Sequence, residues 1–519
     1  MALTETRPDA TADAPAPSAT RPAPGPLERM IGTGDHVSIG RLWIGLSLVL
    51  LLLALVGRLV FGIDLATDNG FLGENQGMLG GSSLVGIALA GVVPLLLGLA
   101  TAIVPLQLGA PAIAFPRAAA LALWGWLVSA GIFLVSVVLQ GGVGGSDTDA
   151  ARLGNIALGG MAVAICLGSI CVATTVMSSR PAGMGLARAP LFAWSMLVAS
   201  TIWILSLASV VAHVVVGQIT QADATGLADN FANGIAWALR GPTVFMLAIP
   251  VLGIAAEAAT SAAGRGAPRY GILQGLIGAY GVLSFGAWAQ APTSVETALW
   301  TVFALAVAVP VLGMLGGIGD LMRRGKVQVG GALVGGLLAV VLLLGAVVCG
   351  LLVALDLSGA GELWGLEQAE LFAAQAAFVL GAALAGGIAG LIHWNPIVWG
   401  GEVRSSAASG SVLLVVLGTA VMGLGLAVEA VVQRDDPASA AAFLGGVGAL
   451  GALLMLLGVA GTLAGTMTAA RDGGAPDEDA GPRGLTLEWA VARPATGGAL
   501  PEDLPAVTSP YPLLPEETD

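Results

Sequence analysis

Charge is scarce in this chain: 10% of its 519 residues are Asp, Glu, Lys or Arg, against roughly a quarter in soluble domains. That excludes an ordinary water-facing surface. Histidine is scarcer still, with His36, His213 and His393 the full set, and no His/Cys cluster has metal-ligand spacing. The three cysteines, Cys166, Cys171 and Cys349, lie inside apolar runs. They form no CxxC or CxxCH pattern, which excludes a thiol redox motif and covalent haem attachment and leaves them as small buried hydrophobes. No basic stripe marks a nucleic-acid surface. The glycine-rich stretch 141–145 is followed by acidic residues rather than Lys-Ser/Thr, so it does not cradle phosphate. Neither a Ser/His/Asp set nor a paired-carboxylate constellation is present.

What the chain has is apolar length. It is 56% hydrophobic with a mean hydropathy of +0.89, and about a dozen apolar runs are each long enough to cross ~30 Å of hydrocarbon, which takes ~20 residues. The spans are predicted to begin near 41, 83, 118, 156, 189, 234, 270, 296, 330, 366, 407 and 439. The fold class expected is therefore all-α, a polytopic membrane bundle of about twelve transmembrane helices. The 77 glycines favour close helix approach in lipid. Residues 1–34 read as a disordered leader, 35–470 as the membrane domain, and 471–519 as an acidic, proline-rich tail.

The charges sort by alternate loops. Arg117, Arg180, Arg188, Arg265, Arg269, Arg323, Arg324, Lys326 and Arg404 fall in one set. The other set is acidic, with Asp64, Asp68, Glu74, Asp147, Asp149, Asp223, Asp229, Asp356, Glu362, Asp435 and Asp436, and only Arg152 and Arg434 of the basic type. Because basic loops are retained in the cytoplasm, this predicts a multi-pass protein of the cell membrane with an even span count and both termini cytoplasmic.

Several stretches carry a family resemblance. "GDHVSIGRLW" at the head of the first span, "IVPLQLGAPAIAFPRAAAL" (103–121) after the second, "RPAGMGLARAPLFAWSMLV" before the fifth, "RGPTVFMLAIPVLGIAAE" in the sixth, "AWAQAPT" closing the seventh and "LTLEW" (485–489) in the tail occur in order. Together they resemble subunit I of cytochrome c oxidase, of the haem-copper oxidase family. The resemblance implies a proton-translocating oxidoreductase with two axial histidines on a low-spin haem, one on the oxygen-binding haem and three on copper. Imidazole suits those metals as a neutral, borderline ligand. Carried across without gaps, the second-helix haem ligand falls at Ser83, give or take a residue, and the sixth-helix copper ligand at Gly241. The paired histidines of the seventh helix fall at Gln290 and Ala291, and the His-x-His pair of the tenth at Ala374 and Ala376. The expectation is that neither haem nor copper is held and that no residue is catalytic.

Accessory positions change with them. The copper-linked tyrosine falls at Phe245, the glutamate near it at Thr243, proton-path residues at Ala112, Ala119 and Met314, and the arginine pair over the haem propionates at Val431 and Val432. Arg240, beside Gly241, is costly within a span unless paired or hydrated. It either pairs with Glu370, with Glu367 and Glu257 as other partners, or snorkels to the interface. His213 and His393 lie at opposite ends of the membrane and cannot share an ion. Trp124, Trp126, Trp194, Trp203, Trp237, Trp288 and Trp394 read as packing or interfacial anchors.

Three functional readings follow. The first is a redox-inactive relative, a structural or regulatory subunit of a respiratory-type membrane complex with a subunit II-like or III-like partner. The second is a working terminal oxidase that reduces oxygen with electrons from cytochrome c, as the resemblance alone implies. The third is binding or transport of lipid or a small molecule through the vacated cofactor cavity.

Overall fold

The computed structural model describes residues 32–67, 70–220, 223–236, 241–286, 294–357, 366, 368–472, 484–491, 504–505 and 507–514. Its membrane helices are α1 (His36–Leu65), α2 (Gly73–Gln107), α3 (Pro116–Val138), α4 (Thr148–Ser178), α5 (Leu191–Ile219), α6 (Gly241–Ala263), α7 (Tyr270–Gly286), α8 (Ala298–Arg324), α9 (Gly331–Leu357), α10 (Gln368–Trp399), α11 (Ser405–Val432) and α12 (Pro437–Asp472). All but α7, which has 17 residues, are long and apolar enough to span a bilayer. Among the described residues there is no β-strand.

The start signals are local. Asp35 caps α1 by accepting from the amides of Val37 and Ser38, and Asp147 caps α4 through Ala150, satisfying amides that have no partner within the helix. Two helices begin earlier than hydropathy predicts. α2 starts at Gly73 and α4 at Thr148, because their first turns carry Glu74 and Gln76, and Asp149 and Arg152, polar residues that a bilayer-sized window rejects. Within α2, residues Gly86–Val92 form a π-helical turn, a wider winding that redirects the faces on either side of it.

Burial separates the helices into layers. The apolar stretches of α6, α2 and α10 are buried or almost so, whereas only about a third of each such stretch in α1, α3 and α8 is. Outward Leu and Val residues are ordinary where the surroundings are hydrocarbon. The ring around the central helices closes on itself, since α12 packs along both α11 and α1. At the α1–α12 crossing a Cβ on Gly62 would sit 2.6 Å from the amide nitrogen of Ala449, so only glycine permits that approach.

One face of the bundle, where α1 begins and α2 and α10 end, is covered by segments 484–491 and 504–514. Arg41 Nε donates to the Val398 carbonyl at 2.6 Å, tying the start of α1 to the end of α10. The Leu513 amide donates to Leu485 O at 3.2 Å, tying the two covering segments together.

Candidate functional site

The ligand positions named from sequence lie mainly on the three central helices. Ser83 on α2 donates to Gly80 O at 2.9 Å within its own helix and faces Gly57 of α1. Its neighbours Leu84 and Ile87 instead line a cavity of about 90 Å³ with Ala376, Ala377, Leu380 and Gly381 of α10. Ser83 and Ala376 therefore do not meet. Leu84, one position on and within the tolerance of an ungapped transfer, lines the same cavity as Ala376.

Gly241 opens the 3₁₀ turn of α6 at φ +55°, a left-handed conformation that favours glycine. A Cβ here would collide with the indole of Trp300 on α8. Trp300 in turn meets Phe372 of α10 edge-on at 5.9 Å and packs in a cluster with Leu371 and Val353. The vacated cofactor cavity expected in the third reading is thus corrected at this position: a tryptophan from the neighbouring helix fills the space. Ala374 is fully buried in the main core. Gln290, Ala291 and Arg240 lie outside the described residues. Glu370 is half-buried in the first turn of α10, with Oε2 lacking a hydrogen-bond partner.

Whether the alternative partner Glu257 pairs with Arg240 also falls outside the described residues. Glu257 lies sixteen residues after Gly241 on α6 and accepts from the Phe192 amide at 3.4 Å. Phe245 meets Tyr280 edge-on at 5.9 Å, and the Tyr280 hydroxyl is buried without a partner. Met314 is fully buried, whereas Val431 and Val432 are each 56% exposed on the outside of the bundle. Among the described residues no three His, Cys, Asp or Glu side chains gather as a metal site. His213 exchanges hydrogen bonds with Asn230, fastening the short helix Ala224–Asn233 to α5.

These surroundings do not fit haem or copper. The cavity at Ala376 is smaller than the ~150 Å³ apolar cavity that accepts benzene, its walls there are Leu and Ala, and the sixth-helix position abuts an indole.

Two features escaped sequence reasoning. Arg58 on α1 reaches the cavity, with its guanidinium 4.9 Å from the Phe61 ring centre and no ion pair among the described residues. The spacing of apolar residues hid it, because it interrupts α1 only once. The second is a polar cluster under the covering segment. Glu488, in the "LTLEW" stretch, is fully buried. Its Oε1 accepts from Gln107 Nε2 (3.1 Å), Trp394 Nε1 (3.1 Å) and Thr486 Oγ1 (2.9 Å). Burial holds its carboxyl above the usual carboxylate range, partly offset by the bonds from Gln107, Thr486 and Trp394. The motif was visible in the sequence, but its destination was not.

Comparison with known proteins decides the family. The family model "Cytochrome C and Quinol oxidase polypeptide I" matches residues 38–463. The chain belongs to that family. Its relatives include a haem-copper oxidase subunit I+III of Aeropyrum pernix, 28% identical over 292 residues, covering 50% of this chain and 35% of that protein. Quinol oxidase subunit 1 of Bacillus subtilis is 29% identical over 285 residues, covering 50% and 43%. Cytochrome c oxidase subunit 1 of Corynebacterium diphtheriae is 28% identical over 307 residues, covering 52% and 53%. The matched region spans about half or less of each relative's length. Membership of a family of polytopic membrane oxidase subunits accounts for the helical bundle and the order of the sequence motifs.

Proposed function

We propose that this chain is a redox-inactive member of the family, acting as a structural or regulatory subunit of a respiratory-type membrane complex with a subunit II-like or III-like partner. The observation that carries this reading is the packing at Gly241, where the indole of Trp300 stands against a backbone that admits no side chain. Reinstating a ligand there requires both a new residue and displacement of a buried aromatic. Leu84 and Ala376, apolar side chains lining one small cavity, support the same reading. By the distribution of loop charges, both termini are cytoplasmic.

The test is purification of the full chain in detergent from cells making its own haem, with a reduced-minus-oxidised spectrum and metal analysis. The expected result is no stoichiometric haem or copper and a co-purifying membrane subunit. A coloured, metal-loaded sample that reduces oxygen overturns the proposal in favour of a terminal oxidase.

A second reading is favoured by Arg58. In the cavity, α10 contributes residues from Ala373 to Leu384, about 16 Å of helix rise. The cavity thus runs along α10, with one cation among mostly apolar walls. The cavity is too small to hold an acyl chain, but the partly exposed Arg58 in its lining offers a cation to the headgroup of an anionic lipid packed outside it. Native mass spectrometry should show an anionic lipid retained by the wild type and lost in Arg58→Met, while uncharged lipid is retained by neither.

A further inference from the structure

The cluster at Glu488 has an asymmetry that its hydrogen bonds do not explain if the side chain is an ordinary carboxylate. Oε1 accepts three donors, whereas Oε2, equally buried, has none. Gln107, also fully buried, donates through Nε2 to Glu488 Oε1, and its own Oε1 has no donor either. Two orphaned acceptors therefore sit on two side chains already joined by one hydrogen bond. An orphaned buried acceptor costs about 1–3 kcal/mol, more when it carries charge, so two on hydrogen-bonded neighbours favour a proton that serves both.

The surroundings say what that is. Glu257 on α6, also buried, lies within electrostatic range of Glu488. No lysine or arginine among the described residues forms an ion pair with either. The other titratable groups nearby are His393 on α10, whose ring packs 5.2 Å from that of Trp489, and Tyr270 and Tyr511, which feel the charge of Glu257. Arg41 on α1 is engaged with the Val398 carbonyl. Two buried carboxylates that pair with no cation among the described residues are strongly disfavoured as a doubly charged pair. One proton removes a charge and both orphans together.

We propose that Glu488 and Gln107 form a buried proton-binding site, in which Glu488 docks as a neutral acid whose Oε2–H donates to Gln107 Oε1. With the existing bond from Gln107 Nε2 to Glu488 Oε1, this completes a cyclic acid–amide pair that fastens the covering segment 484–491 to the end of α2. Removing the proton sets Oε2 against Gln107 Oε1 and against Glu257, and the segment is released. Docking thus reports the pH on this face of the membrane. The sign follows from linkage: the docked state binds a proton that the released state gives up in the ordinary carboxyl range. Docking is therefore strongest at low pH. It weakens by up to about tenfold per pH unit above that range until the docked group itself ionises.

The test uses the full chain in detergent, following amide hydrogen exchange of residues 485–491 against pH, corrected for the intrinsic rate. The wild type is expected to show protection that falls by up to about tenfold per unit as pH rises. Glu488→Gln keeps both bonds, since an amide donates and accepts at the same two places, so protection should persist and lose its pH dependence. Glu488→Ala should exchange fast throughout. Infrared spectra of the wild type at the pH of docking should contain a protonated-carboxyl band that Glu488→Gln removes. A wild type with pH-independent protection, or a Glu488→Gln variant with the wild-type pH profile, overturns the proposal. So does protection that depends on added potassium or calcium, which would put a metal cation between the two oxygens. The infrared measurement keeps the proposal testable on the wild type even if a variant fails to fold.

Discussion

The centre of the bundle and the face covered by the C-terminal segments are both buried, yet they are built in opposite ways. At the centre, the positions that the family resemblance assigns to metal ligands now hold Gly241, Ala374 and Ala376, with Trp300 standing against Gly241 and Leu84 lining one cavity with Ala376. At the covered face, buried polar side chains persist in contact: Glu488, Gln107, Trp394 and Thr486 share hydrogen bonds, with Glu257 close by. Buried polar groups are for the most part retained where partners satisfy them. The difference shows which interior is filled by shape and which is held by bonds.

Substitutions can break that contrast. The largest effect is expected from Trp300→Ala, which empties the space against Gly241 and should lower stability by about 3–5 kcal/mol, read as a fall in the detergent unfolding midpoint. If the centre is held by shape, no polar substitution of similar size should restore it. Gly241→Ala combines a left-handed backbone with a collision against the indole, and is expected to cost about 2–4 kcal/mol. In the double variant with Trp300→Ala, the collision part should disappear and the backbone part should remain. Glu488→Ala leaves three donors without their acceptor and should cost about 2–3 kcal/mol, with the covering segment more exposed to protease. Ser83→Ala should change the midpoint least, by under about 0.5 kcal/mol, because its hydroxyl bonds only within its own helix. Leu84→Ala, one residue on, should cost about 2 kcal/mol or more. Equal effects at 83 and 84 would contradict the facing of α2 described here.

The architecture was readable because span length is dictated by the bilayer, and the predicted starts of α3, α5, α7 and α9 to α12 fall within a few residues of those observed. The starts of α2 and α4 were missed because polar first turns look like loop. The site was partly legible. That Gly241, Ala374 and Ala376 cannot ligate a metal follows from residue type alone. That Leu84 rather than Ser83 lines the cavity with Ala376 does not, because it depends on how the turns around the π-helical segment Gly86–Val92 present their faces. Trp300 could not be found from its own surroundings, since filling a distant void is a property of tertiary packing. Arg58 and Glu488 were single polar residues without a periodic signal. Gln290, Ala291 and Arg240, on which the proposed ion pair and the seventh-helix positions rest, lie outside the described residues.

The seam at Gly62 and Ala449 joins the first membrane helix to the last. During synthesis α1 therefore enters the bilayer with one flank against lipid and keeps it so until α12 emerges, when the ring can shut. Assembly of the bundle is committed late, and a side chain added at Gly62 should leave every span inserted but the barrel of helices unclosed.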